Sequence, residues 1–335
     1  MADPKADDSA SGRSADLALT ASSALGVPQS LLHIPMAGAM YLESMGGPDP
    51  DLWWPAHSGG NQVSDWLARQ HCELSLSVAF ALSLARLFGR QSRLDSQLEF
   101  DVAYLFFTKA CAQAGASIQI LTNTKCYADA FVVLRALHGK VNLLTLMALG
   151  THLFDEWLKS PKETRFLDGR VRDELANHGI TTFPHMYEHA SEITHGQYLA
   201  LTEAGYMETG LFPRIPPIEN RILVSTKLLF GIIGAVGINV LALHPRDKID
   251  QDLHEHEALF AFMEENILKP NRFDHLLASI AEDRHWLKIS KDKMAIAHWF
   301  SASEFRRQLE LFRRPSQPKR LGKQYRRCLH SGRIQ

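Results

Sequence analysis

Apolar residues recur at every third or fourth position through most of this sequence, and that spacing restricts the fold more than any other feature. Such a recurrence puts apolar side chains on one face of each of a series of helices. Segments that alternate apolar and polar residues are scarce, and the only strand-like run, at 118–121, is too short to build a sheet. Helices are predicted over 65–88, 95–121, 125–158, 168–177, 184–204, 219–243, 253–268, 272–283 and 301–312. The sequence therefore predicts an all-α helical bundle whose neighbouring helices are mostly antiparallel.

The chain divides by composition into four segments. Residues 1–25 are rich in Ala, Ser and Asp, and this predicts a disordered leader because few large apolar groups offset the entropy of ordering. Residues 26–60 are predicted as a loop segment, since the run at 46–60 holds three Pro and four Gly and excludes a helix or a central strand. Trp53 and Trp54 are expected to anchor that loop on the core. Residues 61–312 are predicted to form a single all-α domain, and residues 313–335 a basic tail.

Charge is divided unevenly along the chain, although its formal sum is only -1. The tail carries eight basic residues and no acidic one, which leaves an acidic body that argues against a broad nucleic-acid surface. The tail could contact the phosphates of a nucleic acid or an acidic partner, dock on the acidic body or on a second copy, or act as a disordered solubilising end. Its basic residues are Arg313, Arg314, Lys319, Arg320, Lys323, Arg326, Arg327 and Arg333.

Cysteine usage and the apolar segments indicate the compartment. The four Cys residues are scattered without a C-x-x-C pair, so neither a disulfide framework nor a thiolate zinc site is predicted. The acidic start of the chain differs from a signal peptide, and we expect a soluble cytoplasmic protein. Residues 228–243 are uncharged, but a membrane span needs about 20 apolar residues, so we expect a central core helix and no membrane association. Gly231, Gly234 and Gly237 would let another helix approach it closely.

The densest group of potential metal ligands is the run PHMYEHASEITH at 184–195. His185 and His189 lie one helical turn apart, and Glu192 follows after three residues, a spacing that can hold a divalent metal. The run also contains H-x-x-E-H, the inverted zinc-protease motif, without the mixed α/β architecture of that family. The alternative is a polar helix face whose carboxylates pair with its histidines. No other cofactor is implied.

A polar line crosses the most apolar predicted helix at Arg135, His138, Asn142 and Thr145. If that face meets solvent, it needs no explanation. If the helix is central, Arg135 needs a partner, because an unpaired buried guanidinium is costly. The candidate partners are Glu156, Glu188 and Glu192, and such a pairing would join this polar line and the histidine-rich run into one polar pocket inside the bundle.

A third pattern is the spacing of Arg172 and His178. It resembles the R-x4-6-H motif of HEPN-type ribonucleases, which are all-α proteins. In that resemblance the pair would polarise a ribose hydroxyl and stabilise the charge that develops on the phosphorus. The alternative is a helix that ends at Gly179 with a histidine near its last turn, which explains the same residues without a catalytic role.

Two of these patterns together support a wider resemblance. The stretch YADAFVVLRALHGKVNLLTLMALG at 127–150 and the pattern Y-x3-S-E-x2-H at 187–195 resemble bacterial all-helical families of unknown function, which carry an A-x-x-LLR helix and a Y-x-x-LS-x-x-xH helix. The resemblance covers about a quarter of the chain. Those families often carry a Glu shortly after the Arg, where this chain has His138 and a glycine. The resemblance implies an α-helical fold and no assigned activity, and it groups Arg135, Tyr187, Ser191 and His195.

These observations favour a non-enzymatic binding module. Its predicted pocket is formed by Arg135, His138, Tyr187, Ser191 and His195, and its basic tail would contact an anionic partner. The alternatives are an HEPN-like ribonuclease and a metal-dependent hydrolase at the sites named above. The sequence is also compatible with a homo-oligomer.

Overall fold

The computed structural model of the protein describes residues 10–54, 62–91, 98–149, 153–160, 166–178, 180, 183–195, 218–243 and 250–268. This part of the chain contains eleven α-helices packed against one another and no strand, so the predicted all-α bundle is confirmed. A 3₁₀ turn at Gln29–Leu31 precedes the second helix, and a π-helical turn at Glu264–Leu268 extends the last one. The helices are α1 (Ala10–Ala24), α2 (His33–Ser44), α3 (Pro50–Trp53), α4 (Gln62–Gln91), α5 (Leu98–Asn123), α6 (Tyr127–Leu149), α7 (Leu153–Lys159), α8 (Asp168–Asn177), α9 (Pro184–Thr194), α10 (Ile218–Leu243) and α11 (Asp250–Met263).

Helix α10 lies at the centre of the bundle. It packs against α4, α5, α6 and α11, and every residue from 221 to 241 is buried. Gly234 permits part of this packing, because a methyl group added there would lie 2.9 Å from the rings of both Phe80 and Phe260. The Tyr104 hydroxyl on α5 donates to the Ile233 carbonyl oxygen at 2.9 Å. The uncharged segment therefore forms a core helix.

Three helices of the described residues are long and apolar enough to cross a membrane, judged by length and composition alone. Their candidate windows are Leu67–Gly89, Tyr127–Leu149 and Arg221–Ala242. The window in α10 is fully covered by the rest of the bundle, whereas the window in α6 is 56% buried. The expectations of a soluble, cytoplasmic protein and of no membrane association stay predictions.

The prediction of a disordered leader over 1–25 is wrong for Ala10–Ala24, which form α1. Its buried face consists mainly of small residues at helical spacing, among them Ser14, Ala18, Ala21 and Ser22. Small side chains let α1 approach α2 and α4 closely, and the partly buried Leu17 and Leu19 add apolar contacts to the core. Residues 1–9 lie outside the described part.

The prediction of a loop segment over 26–60 is also wrong in two places. His33–Ser44 form α2, and Asp49 caps the short helix α3 by accepting from the Asp51 N–H at 3.0 Å, with Pro50 in the first helical position. The density of Gly and Pro beyond residue 45 obscured both helices. The expected anchoring by the tandem Trp is confirmed, since Trp53 and Trp54 are 1% and 2% exposed.

Helix boundaries elsewhere follow the sequence pattern closely. Helix α8 has the predicted bounds, and the strand-like run at 118–121 lies inside α5. The predicted helix over 125–158 is described as α6 and α7, and residues 150–152 lie outside the described part. The predicted helices over 272–283 and 301–312 and the basic tail at 313–335 lie outside the described residues.

Candidate functional site

A pocket of about 430 Å³ lies between α5, α6, α7 and α8. This volume falls within the range of small-molecule sites, about 300 to 1,000 Å³. Aromatic rings and charged groups share its lining. The rings are those of Phe106, Phe107, Trp157 and Phe166, and the charged groups are those of Arg135, Lys140 and Asp168.

The pocket has an apolar end and a polar end. Helices α5 and α6 are joined by three residues and pack along each other, so they run antiparallel and the first half of α5 lies beside the second half of α6. The rings of Phe107 and Trp157 form the apolar end, tilted against each other with centroids 5.3 Å apart, and Leu143 also lines the pocket there. Arg135 lies eight residues before Leu143 on α6, which corresponds to about 12 Å along the helix axis.

Tyr187 organises the polar end. Arg135 Nη2 donates to the Tyr187 hydroxyl oxygen at 3.1 Å. Burial, and then the neighbouring Asp168 carboxylate, raise the pKa of Tyr187, whereas the charge of Arg135 lowers it. The phenol therefore stays protonated at neutral pH and can donate towards Asp168 while it accepts from Arg135.

The ring of Tyr187 is packed between side chains of α6 and α8. The Arg172 guanidinium carbon lies 3.9 Å from the ring centroid, a cation–π contact, and the His138 ring centroid lies 5.3 Å away. His138 is itself buried and its Nδ1 pairs with Asn142 Nδ2 at 3.1 Å. Tyr187 thus fixes α9 and α8 on the polar face of α6.

Gly139 allows Asp168 to reach this site. A methyl group added at Gly139 would lie 3.0 Å from Asp168 Oδ1, which is closer than nine in ten real contacts of a Cβ atom. Asp168 occupies the first turn of α8, where a carboxylate interacts favourably with the helix dipole. The missing side chain on α6 therefore lets the start of α8 close one wall of the pocket.

The structure brings together three of the five residues predicted for the pocket. Arg135, His138 and Tyr187 are in contact, whereas Ser191 is half-buried on α9 and His195 is exposed at its C-terminal end. Within the described residues, neither Ser191 nor His195 shares a hydrogen bond with Arg135.

Arg135 contacts Tyr187, with which the sequence pattern groups it, but lies beside a carboxylate that the sequence did not indicate. Its described hydrogen-bond partner is the Tyr187 hydroxyl, in place of Glu156, Glu188 or Glu192, and the carboxylate that shares its pocket is Asp168. The convergence of α6 and α9 on one polar site could be anticipated from their polar faces, but the participation of α8 could not.

Arg172 and His178 occupy different structural settings. Arg172 packs on the Tyr187 ring, while His178 caps α8, its N–H donating to the Glu174 and Leu175 carbonyls. The Ile180 N–H donates to the Leu175 carbonyl at 2.9 Å, the hydrogen bond of a Schellman helix end. A helix terminus therefore accounts for the position of His178, and the ribonuclease hypothesis stays a prediction.

The predicted metal site at His185, His189 and Glu192 falls largely outside the described side chains. Those of both histidines are not described, and Glu192 is half-buried on α9. Among the side chains that are described, no group of three or more His, Cys, Asp or Glu residues could hold a metal ion. The metal hypothesis stays a prediction.

A buried charge cluster between α4 and α10 was not predicted from the sequence. Lys227 Nζ lies 2.5 Å from Glu73 Oε2 and also donates to Gln70 Oε1. The side chains of Lys227 and Glu73 are 2% and 3% exposed, and Arg69 Nε adds a bond to Glu73 Oε1 at 3.0 Å. Lys227 is the only charged residue between 222 and 243. A single charge in an otherwise apolar helix indicates a buried group that needs a partner, and this feature could have predicted the cluster.

His71, on the neighbouring turn of α4, makes stability depend on pH. Burial, and then the charge of Lys227, lower the pKa of His71 to about 4. The His71 imidazole takes up a proton below about pH 6.5 in the unfolded chain, but only below about pH 4 in the folded chain. The contribution of neutral His71 to stability is therefore complete above pH 6.5 and is lost as the pH falls from 6.5 to 4. Between pH 7 and pH 4, the free energy of unfolding of His71→Leu should therefore fall by roughly 3 kcal/mol less than that of the wild type.

Urea unfolding of the wild type and of His71→Leu at a series of pH values measures this difference. A pH profile that is identical in the two proteins would show that the pKa of His71 is the same in the folded and the unfolded chain.

Comparisons with known proteins yield no match to this chain. No family model, no curated protein and no solved structure matches it. The resemblance to all-helical bacterial families therefore stays a prediction. The function proposed below is argued from the geometry of the pocket.

Proposed function

We propose that the protein is a non-enzymatic binding module whose pocket takes a small organic anion with an apolar body. One observation carries this proposal: four aromatic rings and two cations, Arg135 and Lys140, line the same pocket of about 430 Å³. Pockets that bury most of a ligand combine an apolar lining with a few placed polar groups in this way.

The charges of the lining favour an anion. Arg135 and Lys140 outnumber Asp168, which is the only carboxylate among the described lining residues. Arg135 uses Nη2 on Tyr187, and among the described residues its Nη1 group makes no hydrogen bond and is not buried. The guanidinium thus has donor capacity left for a ligand, and a charge-assisted hydrogen bond is stronger than a neutral one.

Exposed apolar side chains around the pocket support a ligand with an apolar body. Phe106, which lines the pocket, is 57% exposed. Five of the seven exposed large apolar residues of the described chain lie on the elements that line the pocket or directly beside a lining residue. Apolar surface concentrated in this way is typical of a binding site. The five are Val102, Phe106, Val132, Leu158 and Leu167.

The lining favours binding over covalent chemistry. Its described residues include no Ser, Cys or His, and its one carboxylate lies beside the Tyr187 hydroxyl. A nucleophile with an adjacent base is the usual arrangement for covalent catalysis. The second part of the proposal, contact of the basic tail with an anionic partner, rests on the charge of residues 313–335 alone.

Filling the pocket should remove binding without unfolding the protein. Ala110 lines the pocket from α5, and Ala110→Phe places a ring inside the cavity. Anilinonaphthalene sulfonate, an aromatic anion that fluoresces in apolar sites, should bind the wild type at one saturable site. Its affinity for Ala110→Phe should be lower by about tenfold or more, because the volume that holds the ligand is occupied.

Ala128→Phe, an exposed position in the first turn of α6, is the matched control and should bind the probe like the wild type. Circular dichroism of both variants verifies the fold. Equal probe binding by Ala110→Phe and the wild type would contradict the proposed function.

A further inference from the structure

We infer that the ligand is a medium-chain or aryl monocarboxylate, bound with its carboxylate at Arg135 and its apolar end against Phe107 and Trp157. The inference rests on the proposed function of the pocket and adds the class of ligand and its direction. It is based on the separation of polar and apolar groups along α6.

The lining changes character along the pocket. Arg135 lies at one end, Gly139 with the neighbouring Asp168 carboxylate and Lys140 lie near the middle, and at the other end Leu143 lies beside the rings of α5 and α7. The distance along α6 between Arg135 and Leu143 is about 12 Å. A ligand that satisfies both ends therefore carries its charge at one terminus and an extended chain or ring system behind it.

The head group is matched to a single negative charge. A guanidinium presents its N–H groups in a planar fork that fits a carboxylate. Asp168 shares the lining with Arg135 and Lys140, so the three groups sum to one positive charge. A dianionic phosphate would leave an uncompensated negative charge next to Asp168 in a partly desolvated site, which is unfavourable.

Tyr187 keeps Asp168 from competing for the guanidinium. The phenol lies between the two groups, accepting from Arg135 at 3.1 Å and lying beside Asp168. Arg135 therefore retains its remaining N–H groups for the ligand. Asp168 at the same time disfavours a second negative charge, which makes it the residue that selects against dianions.

The tail is matched to the aromatic end. Phe107 contacts Trp157 at 5.3 Å and Phe106 edge-on at 5.7 Å. These rings offer flat apolar surface to an alkyl chain or to an aromatic ring. Leu143 completes this end from α6. A carboxylate without a tail, such as acetate, would leave this surface in contact with water.

Displacement of the fluorescent probe tests the class of ligand. Decanoate should displace anilinonaphthalene sulfonate at a concentration about tenfold or more below that of decanol, acetate or decyl phosphate at pH 8, because only decanoate matches both ends. Arg135→Met should abolish the preference for decanoate over decanol. Arg86→Met, which removes an exposed arginine from α4, should leave the preference intact.

Fluorescence quenching tests the direction. Decanoate brominated at its terminal carbon should quench Trp157, whereas decanoate brominated next to the carboxylate should not. The protein has six Trp residues, so the signal is taken as the difference between the wild type and Trp157→Phe. Quenching of Trp157 by the second compound alone, or by neither compound at saturation, overturns the assigned direction.

The two proposals fail in different ways. If decanol or decyl phosphate binds as tightly as decanoate while Ala110→Phe still removes probe binding, the ligand class is wrong and the proposed function stands. If Ala110→Phe changes nothing for any of these compounds, the proposed function is wrong as well.

Discussion

Replacing Lys227 with Met is expected to lower the free energy of unfolding by about 3 to 5 kcal/mol. The ammonium group of Lys227 contacts Glu73 and Gln70 at the interface of α4 and α10, where both ion-pair partners are almost fully buried. Without Lys227, the Glu73 carboxylate remains in the core, and Arg69 is its only ionic partner among the described residues. A buried charge that has lost its main partner costs far more than the intact pair contributes.

The double variant Lys227→Met with Glu73→Leu tests whether the loss of stability comes from the unpaired Glu73 carboxylate. Removing both charges leaves apolar groups of similar size, and Arg69, whose side chain is 39% exposed, can turn to solvent. We expect the double variant to recover most of the loss, as measured by urea unfolding at pH 7. A double variant as unstable as Lys227→Met alone would show that the stability lost is not due to an unpaired carboxylate.

Replacing Gly38 with Ala is expected to lower the free energy of unfolding by about 3 kcal/mol. Gly38 lies on α2 where this helix crosses α4, and an added methyl group would lie 2.6 Å from the Ala79 carbonyl carbon. The obstacle is backbone, so it cannot be relieved by a side-chain rotation. The two helices must move apart, and the contacts that surround the crossing are lost with them.

Gly12→Ala in α1 is the matched control, because a methyl group there meets no atom within 4 Å. It should raise stability by up to about 1 kcal/mol, since Ala has the higher helix propensity. Thermal unfolding of the two variants should therefore shift in opposite directions. Equal shifts would mean that the crossing of α2 and α4 is not as close as described.

The helices could be predicted from the sequence because their signal is local. A period of 3.6 is visible within a dozen residues, and the bounds of α8 follow from it directly. Helix α1 has no such signal, since its small buried residues contribute only through the close approach of α2 and α4. Close packing of small groups is a property of two helices together and cannot be read from one.

The candidate site could be predicted only in part for the same reason. The polar face of α6 indicated that Arg135 and His138 need partners, and the α9 pattern suggested Tyr187. Asp168 and Trp157 reach the pocket from α8 and α7, whose positions depend on the packing of the whole bundle. Aromatic residues on separate helices carry no spacing that marks them as one site.

The most direct test of the ligand site is a crystal structure with decanoate brominated at its terminal carbon, in which anomalous scattering locates the bromine. The carboxylate is expected within hydrogen-bond distance of Arg135, with the bromine among Phe107, Leu143 and Trp157. A bromine beside Arg135, or a ligand bound elsewhere while this pocket stays empty, would contradict the assignment of this pocket as a site for amphipathic anions bound head-first at Arg135.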